Sequence, residues 1–135
     1  MKSILMAVLI GLAALMISSC ATVSREPLEP GELRLISMDV PDRGTFIVDV
    51  EYRIAVNFQA EGHPEIKRAC CYWSGDGPYC GNVLKVKYGS EASFLIPIYA
   101  RPDSNRLECY AEYIQDGKRK RSNAVETYIT GYSTR

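Results

Sequence analysis

Five cysteines and one histidine are the side chains of this 135-residue chain best suited to chemistry: Cys20, Cys70, Cys71, Cys80, Cys109 and His63. Nucleophilic triads and zinc hydrolase sites both need an imidazole held by a partner. His63 lies in Glu61-Gly62-His63-Pro64, a loop by its glycine and proline, and no partner for it is recognisable. It reads as a solvated histidine. The cysteines do not form the paired C-x-x-C knuckles of structural zinc sites. Disulfides rank ahead of a metal site, and redox catalysis ranks behind both. The sequence therefore predicts no catalytic residue, no metal, no cofactor and no enzyme.

Cys20 stands apart from the other four. Lys2 supplies a short positive region, and Ile4 to Met16 (ILMAVLIGLAALM) is an unbroken apolar run, too short for a confident membrane span and of secretory length. It ends in Ile17-Ser18-Ser19-Cys20. That tetrad, an aliphatic residue, two small residues and cysteine, closely resembles the bacterial lipobox. The resemblance implies cleavage before Cys20, a diacylglyceryl thioether on its sulfur, and a further acyl chain, the palmitate type of modification, on its amine. One buried chain anchors reversibly and several anchor durably. Ala21 follows, where lipoproteins retained at the inner membrane of Gram-negative bacteria carry aspartate. The expected location is thus the cell envelope, lipid-anchored at the outer membrane and facing the periplasm.

The expected organisation is a signal peptide over 1–19, a lipidated N-terminus and flexible tether over 20–31, and one folded domain over 32–135. The tether reading rests on Ala21 to Gly31 (ATVSREPLEPG), small and polar and broken by Pro27 and Pro30. The full chain carries 16 Lys and Arg against 16 Asp and Glu, and loss of Lys2 leaves the mature chain near neutral. That gives no electrostatic reason for a nucleic-acid partner. After Cys20, an even set of four cysteines remains, and an exported address permits disulfides.

The domain must be built from strands. Thr45 to Phe58 alternates almost without fault, with Phe46, Val48, Val50, Tyr52, Ile54, Val56 and Phe58 on one face, and predicts one long half-buried strand. Leu33–Val40 precedes it, and an apolar slip at Leu35-Ile36 predicts a bulge. Ile66–Trp73, Val83–Tyr88 and Ser93–Tyr99 follow, with Pro97 pointing to an edge. Leu107–Ile114 places Leu107, Cys109, Ala111 and Tyr113 inward. Asp116-Gly117 signals a hairpin turn, and Ala124–Thr130 returns from it. Seven strands without a helix predict an antiparallel β-sandwich, with a small closed β-barrel as the alternative.

The strand order resembles an immunoglobulin or fibronectin type III domain, most locally in Cys109-Tyr110-Ala111-Glu112-Tyr113, Asp116-Gly117 and Ser122-Asn123-Ala124-Val125. The second strand holds no cysteine, so the inter-sheet disulfide of antibody domains is ruled out. Leu107 stands where those domains carry their corner tyrosine. Cys70 and Cys71 are neighbours on one strand and point to opposite faces. A Ser74–Gly77 loop would set Trp73 opposite Pro78, Tyr72 opposite Tyr79 and Cys71 opposite Cys80. Cys70 shares its phase with Ile66, although Arg68 interrupts that face. In a sandwich of this order the third and sixth strands are adjacent, which would bring Cys70 to the core-facing Cys109. The expected pairs are Cys71–Cys80 and Cys70–Cys109; a Cys71–Cys109 pair would mean a hairpin register shifted by one residue.

For function, the sequence supports a non-catalytic binding or assembly module of the envelope, held at the membrane by lipid. Its partner would be an envelope protein or a cell-wall polymer. Tyr72, Trp73 and Tyr79, with Tyr88 near them, are the candidate contact surface, since aromatic loop residues anchor interfaces; packing of the sandwich rim is the competing role. Lys118-Arg119-Lys120-Arg121 are a candidate patch for anionic headgroups, lipopolysaccharide or cell-wall polymer, although strand alternation splits them between faces. An inhibitor of a lysozyme-like or other hydrolase is the alternative, because Ser74-Gly75 with Tyr79 resembles a lysozyme-inhibitor loop. A cell-wall-acting enzyme ranks last.

Overall fold

The computed structural model describes residues 26–134. The expected signal peptide, the Ile17–Cys20 tetrad and the first part of the expected tether lie outside the described residues. Ten strands are found among them: β1 (Leu33–Asp39), β2 (Thr45–Ile47), β3 (Glu51–Ala60), β4 (Ile66–Trp73), β5 (Asp76–Gly81), β6 (Leu84–Lys87), β7 (Ser93–Tyr99), β8 (Asp103–Gln115), β9 (Lys118–Arg121) and β10 (Val125–Tyr132). One sheet has the order β1-β3-β7-β6. The other has the order β2-β10-β8-β4-β5, with β9 also on β8.

This is the strand order of an immunoglobulin-like sandwich, in which the first, second, fifth and fourth strands face the seventh, sixth and third. Here β5 is an added edge strand beside the third. All ladders are antiparallel except β2 with β10, which is parallel. The core lies between the sheets and is led by Phe46, Ile54, Val56, Phe94, Leu107, Cys109 and Ile129, each essentially inaccessible to solvent. Among the described residues its buried members run from Leu33 to Ile129.

Seven strands become ten for three local reasons. The alternating stretch Thr45–Phe58 is broken at Val48–Val50, where Asp49 takes φ 69°. Aspartate tolerates that left-handed conformation better than most residues. The break leaves parity intact, so Phe46 and Tyr52 still share the interior, stacked at 4.1 Å. Yet β2 joins one sheet and β3 the other. Next, the return arm of the hairpin, not counted as a strand in the sequence and with Asp76 and Gly77 assigned to its loop, pairs with β4 as β5. Last, the strand returning along β8 is split into β9 and β10 at Ser122–Ala124.

Other expectations hold closely. The bulge in β1 falls between Leu35 and Ser37. Asp116 and Gly117 take φ 52° and 73°, as a two-residue hairpin turn requires. At Pro97, β7 is paired to β3, whereas the β6 register reaches only Ser93 and Leu95.

Candidate functional site

The two disulfides are Cys70–Cys80 and Cys71–Cys109, not the pairs expected from the sequence. Two one-residue irregularities explain the correction. Ile66 faces Tyr113 and Arg68 faces Glu112, so Lys67 is an extra residue in β4. Beyond that bulge Ala69, Cys71 and Trp73 share the core face with Ile66, and Cys70 turns outward. In the hairpin, Trp73 faces Asp76 across a two-residue Ser74-Gly75 turn. Gly77 and Pro78 then oppose Tyr72 alone, which sets Cys70 against Cys80 and Cys71 against Tyr79. Gly77 is required there: its φ is +140°, and a Cβ would approach the Cys71 carbonyl oxygen to 2.8 Å. Adjacent β4 and β8 were correctly expected, but they join Cys109 to Cys71.

Both bridges therefore lie within the six-stranded sheet, one on each face. Cys71–Cys109 is in the core, and Cys70–Cys80 is outside it, tying the edge strand β5 to β4. This sets the fate of the three candidate aromatic residues. Trp73 and Tyr79 share the inner face. Tyr72 is on the outer face, with Tyr110, at 6.2 Å between ring centroids. Tyr88 is elsewhere, against Phe58 and His63, and its hydroxyl donates to the Pro64 carbonyl. Burial, with a smaller contribution from Glu65, raises the Tyr88 phenol above its ordinary value. His63 is exposed at this loop, its ring tilted against Tyr88 with 4.6 Å between centroids.

Trp73 and Tyr79 line a groove of about 310 Å³ where the sandwich edge stands open. One wall is β5 of one sheet; the other is the half of β7 that β6 does not cover. Trp73 is the floor, only 7% exposed, while Tyr79 and Tyr99 on the rim are 50% and 59% exposed. Ile96, Pro97 and Ile98 complete the apolar wall.

A polar triangle closes one rim. Asp76 accepts a hydrogen bond from the Tyr79 hydroxyl at 2.7 Å and one from Arg101 Nη1 at 2.6 Å. The Arg101 guanidinium also lies over the Tyr79 ring, 4.8 Å from its centroid. Charge-assisted bonds of this kind hold the acceptor ionised. The Asp76 carboxyl is accordingly held below its ordinary value, first by Tyr79 and then by Arg101. The triangle crosses from β5 to the segment after β7, so it ties one sheet to the other at the groove mouth.

Tyr99, Arg101 and Asp76 were missed in the sequence. Arg101 and Asp76 are 25 residues apart, and no spacing rule joins the first residue of β5 to the loop after β7. The exposed aromatic residue at the end of β7, followed by Arg101-Pro102, was the one legible signal.

No family model matches this sequence, and no curated protein matches it. Solved structures are similar in outline. The CARDB domain of a Pyrococcus furiosus protein, solved in complex with di-metal ions, matches over 81% of this chain and 95% of that chain, at 11% identity and a TM-score of 0.45. Fibronectin(III)-like modules of Clostridium thermocellum CbhA match over 78% of this chain and 50% of theirs, at 8% identity and a TM-score of 0.40. The fold assignment rests on the strand order itself. A closed sandwich with an open, aromatic-lined groove at one edge is compatible with a non-catalytic binding module. Among the described residues, no three His, Cys, Asp or Glu side chains converge as a metal site.

Proposed function

We propose that this protein is a lipid-anchored lipoprotein of the bacterial envelope whose sandwich holds a partner in the β5–β7 groove without acting on it chemically. The observation that carries the reading is the placement of the groove relative to the tether. Gln115, at the end of β8, donates through Nε2 to the Pro30 carbonyl at 2.9 Å, which marks where the tether meets the domain. The groove runs along β4 from Ala69, which faces Ala111, to Trp73, which faces Leu107, four to eight residues back along the same strand. At the rise of an extended strand its near end is roughly 14 Å from that point and its aromatic floor roughly 27 Å. An aromatic floor at the end away from the anchor is where a tethered module reaches into the periplasm.

The groove walls also constrain the partner. Pro78 on β5 and Pro97 on β7 remove backbone donors from both flanking edges, which disfavours addition of a strand. Recognition then runs through side chains: the exposed faces of Tyr79 and Tyr99, with Arg101, Asp76 and Asn82 as polar contacts. An envelope protein or a cell-wall polymer fits that chemistry. The inhibitor reading gains nothing from the geometry. The Ser74 hydroxyl accepts the Arg106 N–H at 3.1 Å and the Tyr79 hydroxyl donates to Asp76, so both groups of that loop already serve the domain's own hydrogen bonds.

The test is a pull-down from envelope extract with the oxidised protein, comparing wild type with Tyr79→Ala and Tyr99→Ala. These rim residues are chosen because replacing the buried Trp73 would cost about 3–5 kcal/mol of stability. Loss of one stoichiometric partner from both rim variants is the expected result. Retention of every partner by both variants would remove the groove from the function.

A further inference from the structure

The tether end of the domain has its own chemistry. The Gln115–Pro30 hydrogen bond holds the incoming tether beside the Asp116-Gly117 turn. From that turn runs β9, Lys118–Arg121, with all four side chains exposed. The ladder with β8 sorts them. Arg119 faces Ile114 and Arg121 faces Glu112, on the outward side of the sheet, whereas Lys118 and Lys120 take the other side. Arg68 of β4 also faces Glu112 and joins them.

The three arginines are fixed in place. Glu112 Oε2 accepts from Arg68 Nε at 2.6 Å and is 3.2 Å from Arg119 Nη2. The Arg121 guanidinium lies over the Tyr110 ring, 3.5 Å from its centroid, and donates to the Tyr72 hydroxyl. Tyr110 is thereby buried on what would otherwise be an open sheet face. Arg68 and Arg119 thus share the one Glu112 carboxylate, and Arg121 is held by the two tyrosines. The far end of the same face is different: Arg106 lies between Glu108 and Glu126. Two further carboxylates, Glu32 before β1 and Glu65 before β4, are already paired, with Arg34 and Lys67. Asp116 lies in the turn, beyond the ladder.

We infer that the outward face around Arg68, Arg119 and Arg121 is a surface for the phosphate groups of anionic lipids, set against the membrane from which the tether arrives. Guanidinium forks match phosphate oxygens two at a time, and stacking on Tyr110 pre-orders one of them. A basic patch near the bilayer adds attraction to anionic headgroups within a Debye length of the surface, and so orients a domain that a tether only holds nearby. The orientation follows from the fold: the same end that receives the tether presents the arginines, and the groove faces away. The inference rests on the anchoring part of the proposed function for its orientation, but the surface chemistry does not require the lipid.

The test uses the non-lipidated domain Ala21–Arg135, which lacks Cys20 and retains every core residue from Leu33 to Ile129, sedimented with vesicles at low salt. One set is phosphatidylglycerol with phosphatidylethanolamine, and the other is phosphatidylcholine alone. Binding to the anionic set only, lost on raising salt by the screening of exposed charge, is expected. Arg119→Glu should lower partition by roughly tenfold or more, and Arg119→Gln by roughly fivefold. Lys85→Glu, on β6 of the other sheet, should change it little. Intact disulfides in each variant establish the fold. Equal partition to both vesicle sets, no effect of either Arg119 variant, or an equal loss from Lys85→Glu would each overturn the inference. So would complete displacement by millimolar inorganic phosphate, which would make this a site for the free ion. Because the domain tested carries no acyl chain, these outcomes are independent of whether Cys20 is lipidated.

Discussion

The Asn123 carboxamide stands in for a missing strand partner of Leu35. Its Oδ1 accepts the Leu35 N–H at 2.8 Å, and its Nδ2 donates to the Leu35 carbonyl at 2.9 Å, across 88 residues of sequence. Leu35 stays in register with Phe58 of β3, one residue before the bulge at Ile36, and it is buried on the edge strand of its sheet. Phe58 donates its own N–H to the Ala92 carbonyl, and the Leu35 backbone groups would otherwise be left without partners in a dry setting. Asn123 reaches them because the return strand along β8 breaks there, between β9 and β10. The break therefore provides a two-point clasp between the sheets. Asn123→Ala should cost about 2–4 kcal/mol, since leaving each buried polar group unsatisfied costs about 1–3 kcal/mol. Asn123→Asp should also destabilise, because its carboxylate would face the Leu35 carbonyl. Urea unfolding of the oxidised domain measures both; a change under 0.5 kcal/mol, roughly that of a neutral surface substitution, would show that the clasp contributes nothing.

The disulfide pattern is open to direct chemical test. Proteolysis that cuts between Cys70 and Cys71 should yield one peptide pair linking Cys70 to Cys80 and another linking Cys71 to Cys109. On the loop-closure model the sequence separations of 10 and 38 give roughly 3 and 4 kcal/mol respectively. Cys71→Ser with Cys109→Ser should therefore lower the unfolding midpoint more than Cys70→Ser with Cys80→Ser, since it also disturbs the core. The reverse order would mean that β5 contributes more to the domain than an edge strand should.

These two cases show where the sequence is legible. Period-two alternation identified the inward residues of β8 and the fold class, because burial on one face imposes a pattern that every residue must obey. It could not show the Lys67 bulge, since one extra exposed lysine costs nothing that composition records, yet it reverses the phase of Cys70 and Cys71. Pairs such as Asn123 with Leu35 or Asp76 with Arg101 are set by how the sheets stack, and no local pattern encodes them. Of the candidate contact residues, Trp73 and Tyr79 meet at the groove because they are in phase across the hairpin. Tyr72 is one residue out of phase and faces the arginines.

The Asp76 triangle predicts an acid response. Because the folded-state pKa is depressed, its stabilising contribution is present above the ordinary aspartate value and is lost as pH falls through the lower, folded value. Partner binding in the groove should thus be level from about pH 5 to 8 and weaken only below about pH 4. The Asp76 carboxyl carbon, followed by NMR titration, should show a midpoint that rises in Tyr79→Phe and, by a smaller step, in Arg101→Gln. An unchanged midpoint in both variants would mean the triangle does not form in solution.

Lipid attachment is tested at Cys20. Cys20→Ala should move the protein from the membrane fraction to the soluble envelope fraction, and blocking signal peptidase II should accumulate a larger precursor. Wild-type protein should take up labelled palmitate. If the variant stays wholly with membranes and the wild type takes up no label, the anchoring reading fails, while the groove and the arginine face retain their own tests.

The sharpest single-residue prediction concerns Gly131, in β10. This strand runs between β2 and β8, so Gly131 faces Phe46 on one side and Asp103 on the other. The chain leaving β7 crosses directly above it. A Cβ at Gly131 would overlap the Arg101 carbonyl oxygen, with Val48 also in contact. Backbone atoms on a strand junction cannot move aside as a flexible side chain can, so the substitution forces a shift of the Arg101 segment. Overpacking of this kind typically costs about 1–3 kcal/mol and occasionally more. Because Arg101 also holds Asp76 at the groove mouth, Gly131→Ala should both destabilise the domain and raise the Asp76 midpoint. Gly62→Ala is the comparison: it has a positive φ, but nothing within 4 Å of an added Cβ. It should cost about 1–2 kcal/mol, from backbone conformation alone, and leave Asp76 unmoved. If the two variants behaved alike at Asp76, the close approach of β10 to Arg101 would not be what positions the groove rim.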